Sequence, residues 1–241
     1  MILPIGAIES HGPHGPVATD VICGLETCLR AAEKLHRKGY EAFVLPPLPY
    51  GVAEAARNFV GTISISPKTV FSLVFEICCQ LINHGLVKIC IYSSHAEPAH
   101  IKAIYDAVTL VLEKTGIRPL FINIFRKKYN ERLPEHFRGQ SHADESETSM
   151  VLAIDPSLVN EERRKKLKKV SISIVEKIFK ERLDEFKAMG LVESYCGDPA
   201  SAFPERGEEN LDILSDFIVE DVEKMFQGNI DGSRGLYEMG I

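Results

Sequence analysis

The sequence predicts an α/β fold, a single-domain three-layer αβα sandwich over residues 1–241 with a mostly parallel sheet between helices. Three observations lead there. Short apolar runs rich in β-branched residues recur along the chain, longer segments with helical spacing separate them, and no repeat, low-complexity stretch or linker interrupts the series. The order reads βαβαβαβ, which implies parallel strands, right-handed crossovers and helices on both faces.

The strand candidates are residues 2–5, 42–45, 87–92 and 120–125. Each is short and nearly continuous in apolar character, as a strand covered on both faces must be. Helical patterns run over about 25–38, 67–83 and 98–114. The last two open on Pro67 and Pro98, whose fixed φ and missing N–H suit a first helical turn. Residues 161–187 read as one amphipathic helix, with Val170, Ile174, Ile178 and Leu183 on its apolar side and the basic run after Glu162 in solvent. A loop through Gly197, Asp198 and Pro199 leads to a last helix at about 208–226.

Composition narrows the function classes. A formal net charge of −6 leaves no basic footprint for nucleic acid or an anionic membrane surface, so the expected partner is a small-molecule substrate. No apolar run reaches the ~18 residues of a membrane span, and the N-terminus has neither a basic region nor a signal-peptide core; a cytoplasmic protein is expected. The six cysteines form no Cys-x-x-Cys pair and lie mostly in apolar stretches, where a thiol acts as a small hydrophobe.

In open α/β sheets, ligands bind beyond the carboxyl ends of the strands. Three groups of His and carboxylate residues fall there: Glu9, His11, His14 and Asp20 after the first strand; His95 and Glu97 after the third; His142, Asp144, Glu145 and Glu147 after the fourth. Residues two apart in an extended segment project to one side, so Glu9 with His11, and His95 with Glu97, each offer an oxygen and a nitrogen to a common point. Mixed oxygen and imidazole donors suit Zn²⁺, Mn²⁺ or Fe²⁺ rather than Ca²⁺, and Asp20 is the natural carboxylate to bridge two such ions. Each group alone could be a capping or surface cluster; Ser146 and its neighbours could simply open a helix at 149–154. His36, His84 and His100 read as helix-borne histidines without chemistry. Gly61 and Thr62 offer backbone N–H groups to a substrate, or form a simple turn.

The run PIGAIESHGPHGPVATD, from Pro4 to Asp20, resembles the N-terminal signature of the creatininase (creatinine amidohydrolase) family. Segments similar to other family motifs follow in order at Phe59 to Thr62, Ser93 to Glu97 and His142 to Ser149. The resemblance implies a creatininase-like fold, two divalent ions and a homo-oligomer, commonly a hexamer. It implies one ion on Glu9, Asp20 and His95 and a second on His11, Asp20 and a glutamate, with Glu97 favoured over Glu147. His142 would shuttle a proton to the leaving nitrogen. Departures bear on the substrate. Creatinine-cleaving members carry a Trp-Asp pair where this chain has Arg138 and Gly139, no Trp occurs anywhere, and Asp144 replaces a Gly. Creatinine is therefore not the expected substrate. Arg138 and Asp144 at the mouth would meet a polar one, Arg138 pairing with a carboxylate, a phosphate or hydroxyls. The expected reaction is hydrolysis of a C–N bond in a small cyclic amide or formamide. The alternatives are opening of a keto-inositol ring at a C–C bond, or a non-catalytic module with a structural metal.

Overall fold

The computed structural model describes residues 1–124, 126–137 and 142–228; Arg138, and Phe125 at the end of the fourth expected strand, lie outside them. Strands β1 (Ile2–Ile5), β2 (Cys90–Ser93) and β3 (Leu120–Ile122) form a parallel sheet in the order β1-β2-β3. The helices are α1 (Thr19–Arg37), α2 (Pro67–Asn83), α3 (Pro98–Thr115), α4 (Lys127–Asn130), α5 (Glu145–Ile154), α6 (Glu161–Arg164), α7 (Ile174–Phe179), α8 (Phe186–Met189) and α9 (Pro204–Phe226).

Alternate strand side chains point to opposite faces, and two cores result. Ile2, Cys90, Tyr92 and Ile122 meet α1, α5 and α9 on one face, while Leu3, Ile5, Ile91 and Phe121 meet α2 and α3 on the other. The sheet is thus sandwiched between helices, as the alternating pattern predicts. On α9, Leu211, Leu214, Phe217 and Ile218 recur at helical spacing and are at most 1% exposed, each burial contributing roughly 1.5–3 kcal/mol. Gly207 lets α9 approach α5: an added Cβ would stand 1.9 Å from the Ser149 carbonyl oxygen.

Two expected elements are corrected. Residues 42–45 form no regular strand. The segment runs beside β1 through isolated parallel bridges, Ile2 with Val44 and Ile5 with Leu48, and hydrogen bonds such as Leu45 N–H to Ile2 O at 2.9 Å. Pro46 and Pro47 have no N–H to give, so the ladder breaks between the bridges. Nor is 161–187 one helix. It divides into α6, α7 and α8. Arg164 is buried, and its Nη1 donates to the carbonyls of Pro199, Ala200 and Ala202, which ties α6 to the turn before α9. Val170 then pairs antiparallel with Gly197, and the Ser173 hydroxyl caps α7 by accepting from Glu176 N–H. The apolar residues of this stretch pack on Ala55, Ala56 and Phe59 as a third, smaller cluster.

All six cysteines are free, five of them buried. Among the described residues, no helix is long and apolar enough to cross a membrane.

Candidate metal centre

The end of β1, the start of α1, the end of β2 and the turn into α5 converge at the carboxyl edge of the sheet. Helix α1 begins at Thr19 rather than near 25, which places Asp20 in its first turn, where a carboxylate suits the helix dipole. Ser94, just after β2, fastens this corner: its hydroxyl lies 2.6 Å from Asp20 O and 3.2 Å from Ile5 O. Asp144 caps α5, accepting from Ser146 N–H at 2.8 Å and Glu147 N–H at 3.0 Å. Asp144, expected at the substrate, is thus placed as the cap of this helix. Ala143, with φ of 53°, turns the chain sharply between His142 and the cap, so that both His142 and Glu147 face the same hollow.

Three donor groups form among the described residues: Glu9, Asp20 and His95; His11, Asp20 and Glu147; and Glu9, His11 and His142. His95 Nδ1 is 3.1 Å from both Glu9 Oε1 and Asp20 Oδ2. His11 Nε2 is 3.4 Å from Asp20 Oδ1 and 3.6 Å from Glu147 Oε2. His142 Nδ1 is 3.7 Å from Glu9 Oε1. Glu9, His11, Asp20, His95 and His142 are all 5% exposed or less.

Each histidine is oriented by a backbone carbonyl on its far nitrogen. His11 Nδ1–H donates to Glu9 O at 3.0 Å, His95 Nε2–H to Val52 O at 2.6 Å, and His142 Nε2–H to Ser10 O at 2.8 Å. A carbonyl only accepts, so the proton of each neutral ring sits there and the lone pair faces the carboxylates. Glu9 Oε2, His11 Nε2 and Asp20 Oδ2 are buried without a hydrogen-bond partner among the described residues. Buried polar atoms left this way are costly unless something of opposite charge meets them.

The electrostatics ask for that charge. Burial by itself would push the His11 pKa down, but Asp20, Glu147 and Glu9 outweigh it and raise it to about 10. His95 is likewise raised well above the usual range against its burial, by Glu9 and Asp20. Burial opposes ionisation of Glu9 and Asp20 too, yet the neighbouring histidines hold both carboxyls below their ordinary values. His142 is different: burial pushes it down to about 4, leaving it neutral. Donor chemistry, orphaned atoms and net negative charge all fit two divalent ions sharing Asp20.

The expected site residues sort as follows. Glu9, His11, Asp20, His95, His142 and Glu147 come together. Glu97 does not join them. Its Oε2 accepts from Ala55 N–H at 3.1 Å, and burial pushes its carboxyl up to about 7; it stands on the cavity wall instead of in a donor group. Thr62, expected at the substrate, gives its N–H to Phe59 O and accepts at its hydroxyl from Ser10 N–H, so it holds the ligand loop, and neither it nor Gly61 lines this cavity. His14 bridges that loop to α5 through Thr148 Oγ1 at 2.8 Å. The sequence reading missed the orienting carbonyls, for which no side-chain signal exists. It also missed Ile174, Ile178 and Phe186, which form an apolar wall above the donors. The cavity they enclose is about 90 Å³. A larger hollow of about 220 Å³ lies around Met1, Phe43 and Phe226, at the opposite end of the strands. None of the donor groups belongs to it.

The profile of the creatininase (creatinine amidohydrolase) family matches residues 1–222. A creatinine amidohydrolase of Pseudomonas putida is 29% identical over 181 residues, 68% of this chain and 67% of that protein. A mycofactocin precursor peptide peptidase of Mycobacterium ulcerans is 30% identical over 80 residues, 32% of each chain. A solved creatininase structure described as the Mn form superposes with a TM-score of 0.75 and 26% identity, covering 93% of this chain and 90% of that one. With the match running from residue 1, just ahead of β1, into α9, and the motif residues assembled in one buried centre, the chain belongs to the creatininase family.

Proposed function

We propose that this protein is a two-metal hydrolase that cleaves a C–N bond in a small amide, cyclic or formyl, at the centre built on Asp20. The observation carrying the reading is the pair of donor groups sharing Asp20, with His11 and His95 each turned toward it by a backbone carbonyl. Glu9, Asp20 and His95 would hold one ion and His11, Asp20 and Glu147 the other, zinc or manganese, as the donor set suits. Bound there, the ions would bring the pKa of a water toward neutrality and polarise the substrate carbonyl.

The chain's own groups do the rest. His142, neutral and with Nδ1 facing Glu9, takes a proton from the attacking water as its oxygen bonds to the carbonyl carbon. The same nitrogen returns that proton to the departing amide nitrogen as the C–N bond breaks. Phe186 packs on the His142 ring at 4.4 Å between centroids and keeps it at that angle. Ile174, Ile178 and Phe186 exclude water and offer an apolar flank to the substrate. Three apolar side chains are poor company for the hydroxyls of a polyol, which favours the amide over the inositol reading.

Metal analysis of the purified protein together with turnover of a panel of cyclic amides, formamides and keto-inositols tests the reading. Close to two divalent ions per chain and amide turnover lost on chelation are expected. A protein that carries less than one ion, or that acts only on the keto-inositols, refutes it. The same reading takes the chain as one domain in a homo-oligomer such as a hexamer; a single-chain mass in light scattering overturns the latter.

A further inference from the structure

His100 lies on α3 and belongs to none of the three donor groups. It is completely buried, its ring packs edge to face on His95 with centroids 5.0 Å apart, and its Nδ1 accepts the backbone N–H of Val52 at 3.3 Å. Val52 is the residue whose carbonyl accepts from His95 Nε2–H at 2.6 Å. One residue of the loop after β1's neighbouring segment is therefore gripped at both ends, by a histidine from α3 at its N–H and by a metal-centre histidine at its carbonyl.

The arrangement is directional. An imidazole that accepts at Nδ1 carries its proton at Nε2 when neutral, and Nε2 of His100 is buried with no hydrogen-bond partner among the described residues, so Val52 N–H is the contact that orients the ring. The acceptor at Nδ1 fixes the orientation of the Val52 backbone. That backbone in turn fixes the His95 ring with its Nδ1 lone pair toward Glu9 and Asp20. The loop is shaped for the contact: at Gly51, an added Cβ would come within 2.9 Å of His100 Cε1 and 2.8 Å of Gly6 O. A side chain at position 51 would force either the ring or the Gly6 backbone to shift.

We propose that His100 is a positioning residue for the metal centre, acting through the Val52 backbone on His95, and that it sets the ion affinity of the Glu9, Asp20 and His95 side of the site. The proposal rests on the two-metal reading. It predicts that what matters at position 100 is a hydrogen-bond acceptor where Nδ1 stands, not bulk or polarity in general.

Substitution of His100 by Asn and by Gln separates these. The Asn side-chain oxygen can occupy the place of Nδ1, whereas Gln extends toward the place of Nε2. Binding of Zn²⁺ and Co²⁺ is measured by competition with a chromophoric chelator, and the visible spectrum of the Co²⁺ form reports ligand geometry independently of turnover. His100→Asn is expected to bind within about threefold of the parent with its spectrum retained. His100→Gln, and His100→Ala where it folds, are expected to weaken the tighter or looser of the two ions by about 10-fold or more and to shift the Co²⁺ bands, the size that orienting partners of ligand histidines commonly have. Equal affinities for Asn and Gln, or Gln binding like the parent, overturn the proposal while leaving the metal reading intact. A parent protein that binds no divalent ion overturns the metal reading and this inference with it.

Discussion

Glu147 and Glu97 illustrate what single residues contribute. Both are glutamates near the same cavity, but only Glu147 reaches His11 and Asp20, while Glu97 is held by Ala55 N–H. Glu147→Gln is therefore expected to lose one of two ions in metal analysis, and Glu97→Gln to keep both; the reverse pattern would exchange their roles. His142→Ala removes the proton carrier without touching the two Asp20 groups. A fall in kcat of roughly 10²–10⁴-fold with ion content unchanged is expected, the range usual for a lost general acid or base, and unaltered turnover would end that assignment. Glu9, His11 and His95 stood out in the sequence as donor candidates because they follow strands directly, where α/β folds place ligands. Which glutamate completes the second group was not legible there. That depends on how Ala143 and the Asp144 cap start α5, and a cap of this kind competes with every other use of an acidic side chain in the same loop.

Among the elements, α5 carries Glu147 and is anchored at its start by Asp144 and along its side by α9. Asp144→Ala removes an N-cap that serves two N–H groups and is expected to cost about 1 kcal/mol. Asp144→Asn keeps the acceptor and should cost a few tenths at most, read by denaturant titration. Gly207→Ala is expected to cost about 1–3 kcal/mol by overpacking, since the new Cβ collides with the Ser149 carbonyl and must push α9 off α5. A parental unfolding midpoint for that variant would show the two helices to be less closely fitted than their geometry implies. At α6, Glu161 accepts from Arg164, and this hydrogen bond first of all draws its carboxyl down to about 2. A depressed carboxyl stabilises the fold above its ordinary range near 4.5 and loses that contribution as pH falls toward about 2. Glu161→Gln should flatten this part of the acid limb, at less than about 1 kcal/mol near neutrality because the carboxylate is half exposed. The amphipathic pattern over 161–187 predicted one helix, and its apolar residues do pack together, partly buried. The Val170–Gly197 bridge competes with helix continuation by giving the backbone another partner, which periodicity does not register.

At the scale of the molecule, three acidic donors and three histidines are packed into one corner, so bound ions and the fold should stabilise each other. Ions present at about 100 times their Kd contribute about 2.7 kcal/mol per site. Chelation is accordingly expected to lower Tm by roughly 5–10 °C for one site in a chain of this size, with recovery on adding Zn²⁺ or Mn²⁺; a Tm indifferent to chelator would contradict the centre. Alternation of short apolar runs with helical spacing determined the layered α/β architecture by itself, because burying both faces of a parallel sheet leaves few other solutions. The same sequence pointed to Glu9, His11 and His95 as donor candidates, since they directly follow strands, and left Glu97 and Glu147 as alternatives. Only the tertiary structure decided that residues 42–48 bridge β1 without a full ladder, that Glu147 rather than Glu97 completes the second group, and that Ile174, Ile178 and Phe186 roof the cavity. It alone shows the carbonyls of Glu9, Ser10 and Val52 aiming the three histidines. The reason is physical: side-chain type and period are written locally, whereas the partner of a backbone carbonyl, or of one carboxylate among several, is fixed by contacts between segments far apart in the chain.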